Sequence, residues 1–253
     1  IMGYRILAAF IFFTRLPFWR LAQVPAECYK TVVNYWPLAG WLTGGVLASV
    51  LWLSAQILPY SVAVILALAG RLLLTGCLHE DGLADFFDGL GGGTSRERIL
   101  AIMKDSFIGS YGVTGLVVYF ALLFSLLHAL PLPLACAAVL AGDPWGKFSA
   151  AQLVNFLPYA RREEDSKAKV VYNKMSVGTF IFALLTGVLP AVLFLPYQYV
   201  AAALFSLLTI ALLIVFLKRK LQGYTGDCCG AAFLLCELNF YLGINILYHY
   251  YVV

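Results

Sequence analysis

Four acidic residues, Glu80, Asp81, Asp85 and Asp88, fall within nine positions of a chain that is 62% hydrophobic and only 12% charged. Asp81, Asp85 and Asp88 stand at i, i+4 and i+7, which on a helix places all three carboxylates within an arc of about 60°. Carboxylates so aligned repel one another unless a cation lies between them. Mg²⁺ suits such a stripe: it takes a few carboxylates and fills its other positions with water and substrate phosphate. A helix dipole alone accounts for one or two acids in a first turn, but not for three on one face. His79 precedes the cluster and falls on the opposite side of an ideal helix, so a ligand or general-base role requires the helix to begin later.

The residues after the cluster suit a phosphorylated substrate. The run Gly89-Leu90-Gly91-Gly92-Gly93 either lets backbone amides approach phosphate or forms a flexible loop; its spacing is not a Walker A. Arg96 and Arg98 serve equally as phosphate clamps or as positive anchors at a membrane surface. Asp105 either adds a metal ligand or orients Lys104. Far downstream, Asp227 in Gly223-Tyr224-Thr225-Gly226-Asp227 either caps a helix or completes the metal site from another element. Asp143 and Lys147, four apart inside an apolar run, read as a structural ion pair or as the wall of a polar cavity. Pro144 should kink that run. Arg71 either snorkels to the interface or pairs with one of the acids of the 80–88 cluster. Glu237, deep in the last apolar run, needs a partner.

These residues hang on an apolar scaffold. A mean hydropathy of +0.87, with 18 Phe, 15 Tyr and 5 Trp, indicates an all-α, polytopic membrane bundle, read as a single domain over 1–253. Apolar runs cover about 36–58, 62–78, 111–130, 134–157, 177–195, 198–217 and 231–251. That gives seven spans, or eight if the short run at 1–14 crosses. The turns at Pro59, Pro131 and Pro196 carry no Lys or Arg. The loops at 15–35, 79–110, 158–176 and 218–227 hold almost all the basic residues, so the positive-inside rule collects them, and the acidic cluster with them, on the cytoplasmic face. The net charge of +4 therefore reports topology, not nucleic-acid binding. The run from Arg161 to Lys169 reads mainly as a solvated loop, with substrate contact as the alternative because it lies near the acidic face. The six Cys form no CxxC pair and read as reduced thiols, and no cleaved leader is evident.

In order along the chain, Phe13-Thr14-Arg15-Leu16-Pro17, His79-x-Asp81-Gly82-Leu83-Ala84-Asp85-x-x-Asp88-Gly89, Arg96-x-Arg98, Met103-Lys104-Asp105-Ser106-x-x-Gly109 and Thr225-Gly226-Asp227-x-x-Gly230-Ala231 with Glu237 resemble the cobalamin synthase family, the adenosylcobinamide-GDP ribazoletransferases. The segment around Asp143 matches less clearly and receives no family role. The resemblance implies Mg²⁺-dependent transfer between adenosylcobinamide-GDP and α-ribazole, or its 5′-phosphate, with release of GMP, in a bacterial or archaeal cytoplasmic membrane. It implies catalytic roles for His79, Asp81, Asp85, Asp88, Lys104 and Asp105, with metal on the three aspartates of the stripe. It implies substrate contacts for Arg96, Arg98, Ser106, Thr225, Asp227 and Glu237. Other nucleotide-loop assembly enzymes, or further copies of the chain, are compatible partners. A CDP-alcohol phosphotransferase is the nearest enzyme alternative, but it seeks an Arg where Asp85 follows Ala84. Intramembrane prenyltransferases carry two separated Asp-rich motifs, and this chain has one cluster and a lone Asp227. A cation transporter should carry acids near mid-membrane in several spans.

Overall fold

The structure, a computed structural model, describes residues 2–161 and 171–252. Among them the regular elements are all helical. They are α1 (Met2–Phe13), α2 (Trp36–Ser54), α3 (Tyr60–Thr75), α4 (Leu78–Gly92), α5 (Arg96–Lys104), α6 (Ser110–His128), α7 (Leu132–Phe156), α8 (Val177–Phe194), α9 (Ala203–Lys220) and α10 (Gly226–Val252), with 3₁₀ turns at Phe18–Arg20, Ala26–Tyr35 and Tyr197–Ala202. The prolines punctuate as the sequence implies: Pro59 and Pro131 cap α3 and α7, and Pro196 caps the 3₁₀ turn that leads into α9. The outer surface is apolar, with Leu73, Leu185, Val192, Leu208 and Leu212 all exposed. Arg71, Asp143, Lys147 and Glu237 instead lie buried in the interior. That inversion marks a multi-pass membrane protein.

Among the described residues five helical stretches are long and apolar enough to cross a bilayer, or six if α3 and α4 count as one bent span. The sequence reading expects seven or eight, and the differences have physical causes. The N-terminal run forms only the 12-residue α1. Helix α3 has 16 residues and is followed by a 92° bend into α4. Helix α7, at 25 residues, is long enough, but the polar middle at Asp143 and Lys147 lowers its hydropathy. It runs through the centre of the bundle, nearly all of it buried. Pro144 sits inside this continuous helix.

Helix α2 packs along α7 because Gly40 and Gly44 present bare backbone: a Cβ on Gly40 would lie 2.8 Å from the Pro144 Cα, and one on Gly44 2.9 Å from the Val139 oxygen. This is the small-xxx-small approach of membrane helices. Between the two glycines, Thr43 donates to the Asp143 carboxylate at 2.9 Å. Lys147 Nζ pairs with Asp143 Oδ1 and donates to Thr43 Oγ1 at 2.7 Å. Arg71 Nη1 lies 2.5 Å from Glu237 Oε1 and 3.7 Å from Asp143 Oδ2, and Tyr241 donates to Glu237 at 2.7 Å. Two cations and two carboxylates thus neutralise each other in the middle of the bundle. The structural reading of Asp143 and Lys147 holds. Arg71 neither snorkels nor pairs with the 80–88 cluster: it is buried and takes Glu237 as its main partner.

The sequence reading treats 79–110 as a cluster followed by a Gly-rich loop. The structure instead forms two helices there. Gly76 (φ +65°) and Cys77 (φ +58°) are both left-handed, and this pair turns the chain from α3 into α4. Helix α4 continues through Gly89, Gly91 and Gly92, where the missing side chains make room for neighbours. A Cβ on Gly89 would strike Met103, and one on Gly91 would strike Tyr111. These glycines are packing surfaces for α5 and α6, not an open phosphate loop.

Candidate active site

The segments after α4, α7 and α9 are knitted together at one end of the bundle. Tyr224 N–H donates to the Pro158 carbonyl at 2.9 Å and Ala160 N–H to the Tyr224 carbonyl at 2.8 Å. Arg96 donates to the Leu221 carbonyl at 2.8 Å and the Ala160 carbonyl at 2.7 Å. Arg161 donates to the Leu100 carbonyl at 2.9 Å. The basic loops therefore meet on one face, opposite the turn where Tyr60 donates to the Leu127 and Leu130 carbonyls.

At this end α4 lies against the start of α10 through a reciprocal glycine contact. A Cβ on Gly82 would lie 3.0 Å from the Asp227 carbonyl oxygen, and one on Gly230 3.2 Å from the His79 carbonyl oxygen. Both helices can touch only because both positions lack side chains. Thr225 caps α10, its hydroxyl accepting from Cys228 N–H at 3.3 Å, so the capping role considered for Asp227 falls to Thr225. Above the contact opens a cavity of about 310 Å³, with Asp81, Asp227 and Arg161 on its lining beside Phe12, Phe13, Trp36, His79, Tyr159 and Tyr172. Arg161 Nη1 stands 4.0 Å from Asp227 Oδ2. Desolvation pushes the Tyr172 phenol well above its ordinary value, so it meets the cavity as a neutral hydroxyl.

His79 forms part of the cavity wall. It is 2% exposed and packs on Phe13, Trp36 and Phe233 at ring-centroid distances of 6.2, 5.5 and 4.8 Å. Its Nε2 and the Trp36 Nε1 are buried without a hydrogen-bond partner among the described residues. Helix α4 begins at Leu78, so His79 does lie across the helix from the aspartates.

The aspartate stripe divides. Asp81 is exposed at the cavity, and Asp85 is half-buried one turn on. Asp88 points away from the cavity lining and into backbone: its Oδ2 accepts from Gly109 N–H at 2.6 Å and its Oδ1 from Gly112 N–H at 2.8 Å. A Cβ on either glycine would fall within 2.5 Å of that carboxylate. Asp88 therefore anchors the N-terminus of α6, where the dipole and orphan amides favour an anion. Among the described residues no three His, Cys, Asp or Glu side chains converge as a ready-made metal cage. The donor set at the cavity still fits Mg²⁺, which needs one or two carboxylates and takes the rest from water and substrate phosphate.

A sequence profile of the cobalamin-5-phosphate synthase family matches residues 5–245. The chain belongs to that family. The adenosylcobinamide-GDP ribazoletransferase of Leptothrix cholodnii is 40% identical over 96% of this chain and 97% of its own length. The Shewanella oneidensis protein of the same name is 36% identical over 91% of this chain and 89% of its own. No solved structure matches.

The cobalamin-5-phosphate synthase motifs thus sort by place. His79, Asp81 and Asp227 come together at the cavity. Arg96 is spent on backbone carbonyls and Thr225 on its cap, while Glu237 lies fully buried in the ion network below. Asp105 accepts from Phe107 N–H at 3.1 Å in a local turn. Arg98, Lys104 and Ser106 are exposed at the ends of α5, away from the lining. The sequence reading misses Arg161 as an individual, folding it into a charged run; residues 162–169 of that run lie outside the described residues. The one hint is that Arg161 is the first charge after Leu157-Pro158, where the chain must return to the face that carries the cluster.

Proposed function

We propose that this protein is an adenosylcobinamide-GDP ribazoletransferase, with the cavity beside Asp81 and Asp227 as its active site on the cytoplasmic face of a bacterial or archaeal inner membrane. It joins adenosylcobinamide-GDP to α-ribazole or α-ribazole 5′-phosphate and releases GMP. The observation that carries this reading is the meeting of Asp81, Asp227 and Arg161 on one aromatic-walled cavity. These residues come from α4, α10 and the segment after α7, so the fold, not local sequence, assembles them.

In this reading Asp81, with Asp85 one turn on, would hold Mg²⁺, and Asp227 lies on the same cavity lining as Asp81. When bound, the ion neutralises the diphosphate and makes the attacked phosphorus more electrophilic. Arg161 holds the diphosphate oxygens by charge-assisted hydrogen bonds. The ribazole 3′-hydroxyl attacks the phosphorus on the corrinoid side, and its proton passes to the Asp227 carboxylate. A new P–O bond forms to the ribose, the bond to the bridging oxygen breaks, and GMP leaves with that oxygen. His79, held among aromatic rings, shapes the wall and transfers no proton. The aromatic wall keeps water from competing with the hydroxyl.

The test is GMP release by detergent-purified protein given adenosylcobinamide-GDP and α-ribazole, with Mg²⁺ and then with EDTA. Mg²⁺-dependent GMP and a cobalamin product are expected, and both should fall at least a hundredfold in Asp81→Asn and in Asp227→Asn. No GMP from folded wild-type protein sinks the reading. Full activity in either variant removes that aspartate from the site.

A further inference from the structure

We propose that Tyr172 is a further catalytic residue, its phenol hydroxyl donating a hydrogen bond to a non-bridging oxygen of the phosphorus under attack. The inference rests on the function proposed above and adds a residue to that site.

Tyr172 reaches the cavity. It is half-buried on the lining that also carries Asp227 and Arg161, so a substrate there can touch it. Its place is fixed from two sides. Phe12 packs against the ring edge-on, with the centroids 6.2 Å apart and the planes at 89°. One residue on, Asn173 N–H donates to the Lys30 carbonyl at 2.8 Å. The hydroxyl has no hydrogen-bond partner among the described residues. A polar group held in this way at a cavity wall, with its own bonding capacity unspent, is placed to meet a ligand.

The surroundings of the hydroxyl decide which part of the ligand it meets. The phenol lies within electrostatic reach of Asp227, together with Cys229, Tyr224 and Tyr159. In the mechanism above Asp227 takes the proton of the attacking ribose hydroxyl, so the attacked phosphorus must come up beside that carboxylate. A donor near Asp227 therefore meets the phosphoryl oxygens. The chemistry also favours a phenol over another basic side chain there. Arg161 Nη1 already stands 4.0 Å from Asp227 Oδ2, and a second cation would stabilise the carboxylate further and weaken it as a base. A phenol is uncharged: it polarises the phosphoryl group and leaves Asp227 its affinity for the proton. Desolvation holds the phenol in its protonated form. It donates throughout the reaction, and no bond forms or breaks at Tyr172.

Tyr172→Phe keeps the ring that packs on Phe12 and removes only the hydroxyl. Its kcat for GMP release should fall about a hundredfold, with the KM for each substrate within about twofold of wild type. Wild-type kcat in this variant overturns the proposal. So does a raised KM with kcat unchanged, which makes the hydroxyl a plain binding contact. A fluorinated tyrosine introduced at position 172 keeps the shape of the side chain and makes the phenol more acidic. Because only the protonated phenol donates, the alkaline limb of its kcat profile should move to lower pH. A limb that stays in place overturns the proposal, whatever Tyr172→Phe does to folding. Wild-type protein that releases no GMP refutes the function proposed above and this role with it, whereas full turnover in Tyr172→Phe refutes this role alone.

Discussion

Asp88→Asn separates an anchoring carboxylate from a metal-binding one. Both Asp88 oxygens accept backbone amides, at 2.6 and 2.8 Å, and the side chain is 6% exposed. Asparagine keeps one acceptor but turns an NH₂ toward the second amide and removes the charge that faces the α6 dipole. A hydrogen bond to a charged group contributes about 1.5–3 kcal/mol and a charge at a helix terminus about 0.3–1 kcal/mol, so the substitution should cost about 2–4 kcal/mol. In a chain of this size that lowers the midpoint of thermal unfolding by about 5–15 °C. The assay is paired: thermal unfolding of purified protein in detergent, and GMP release well below the transition. Turnover at low temperature should stay within about threefold of wild type. Asp81→Asn should show the converse, an unmoved midpoint with turnover lost. The reasoning fails if Asp88→Asn keeps its midpoint and loses turnover, since that is the behaviour of a metal ligand.

Four further substitutions probe the cavity and the frame around it. Glu237→Gln takes from Arg71 its charged partner at 2.5 Å in a fully buried site and should destabilise by about 3–5 kcal/mol, read as a loss of yield and midpoint; pairing it with Arg71→Met should recover most of the loss. Gly230→Ala places a Cβ 3.2 Å from the His79 carbonyl and should cut turnover about tenfold by shifting α4 against α10, with a smaller effect on the unfolding midpoint. Arg96→Ala breaks two carbonyl bonds and should lower the midpoint while leaving the KM for adenosylcobinamide-GDP unchanged. Arg161→Ala should raise that KM.

The parts of the fold that are legible in the sequence are the local ones. Pro59, Pro131 and Pro196 mark the ends of apolar runs because a ring without an N–H begins a helix more easily than it continues one. The Asp143–Lys147 pair is legible because i,i+4 spacing fixes their proximity. Sequence leaves Asp227 between a cap and a site residue from another helix, and only the folded chain shows Thr225 taking the cap. Asp88 reads as a metal ligand in sequence because its amide partners, Gly109 and Gly112, arrive only through tertiary packing of α6 on α4. The run Gly89–Gly93 reads as a loop because glycine disfavours helix by about 1 kcal/mol per residue. Packing against Met103, Ile99 and Tyr111 holds most of it helical instead. Thr43 joins Asp143 and Lys147 across two helices, a contact that no spacing within one run could reveal.

The 92° turn at Gly76 and Cys77 changes what sequence position means along α4. In a helix that follows a span, each residue moves the side chain about 1.5 Å in depth. In α4 the same steps run sideways relative to α3. Asp81, Asp85 and Asp88 therefore share one level along the α3 axis, spread over about 10 Å. Such a helix is a sill, not a shaft. A substrate lying flat in the interface and one arriving from water can approach it from different sides at the same height.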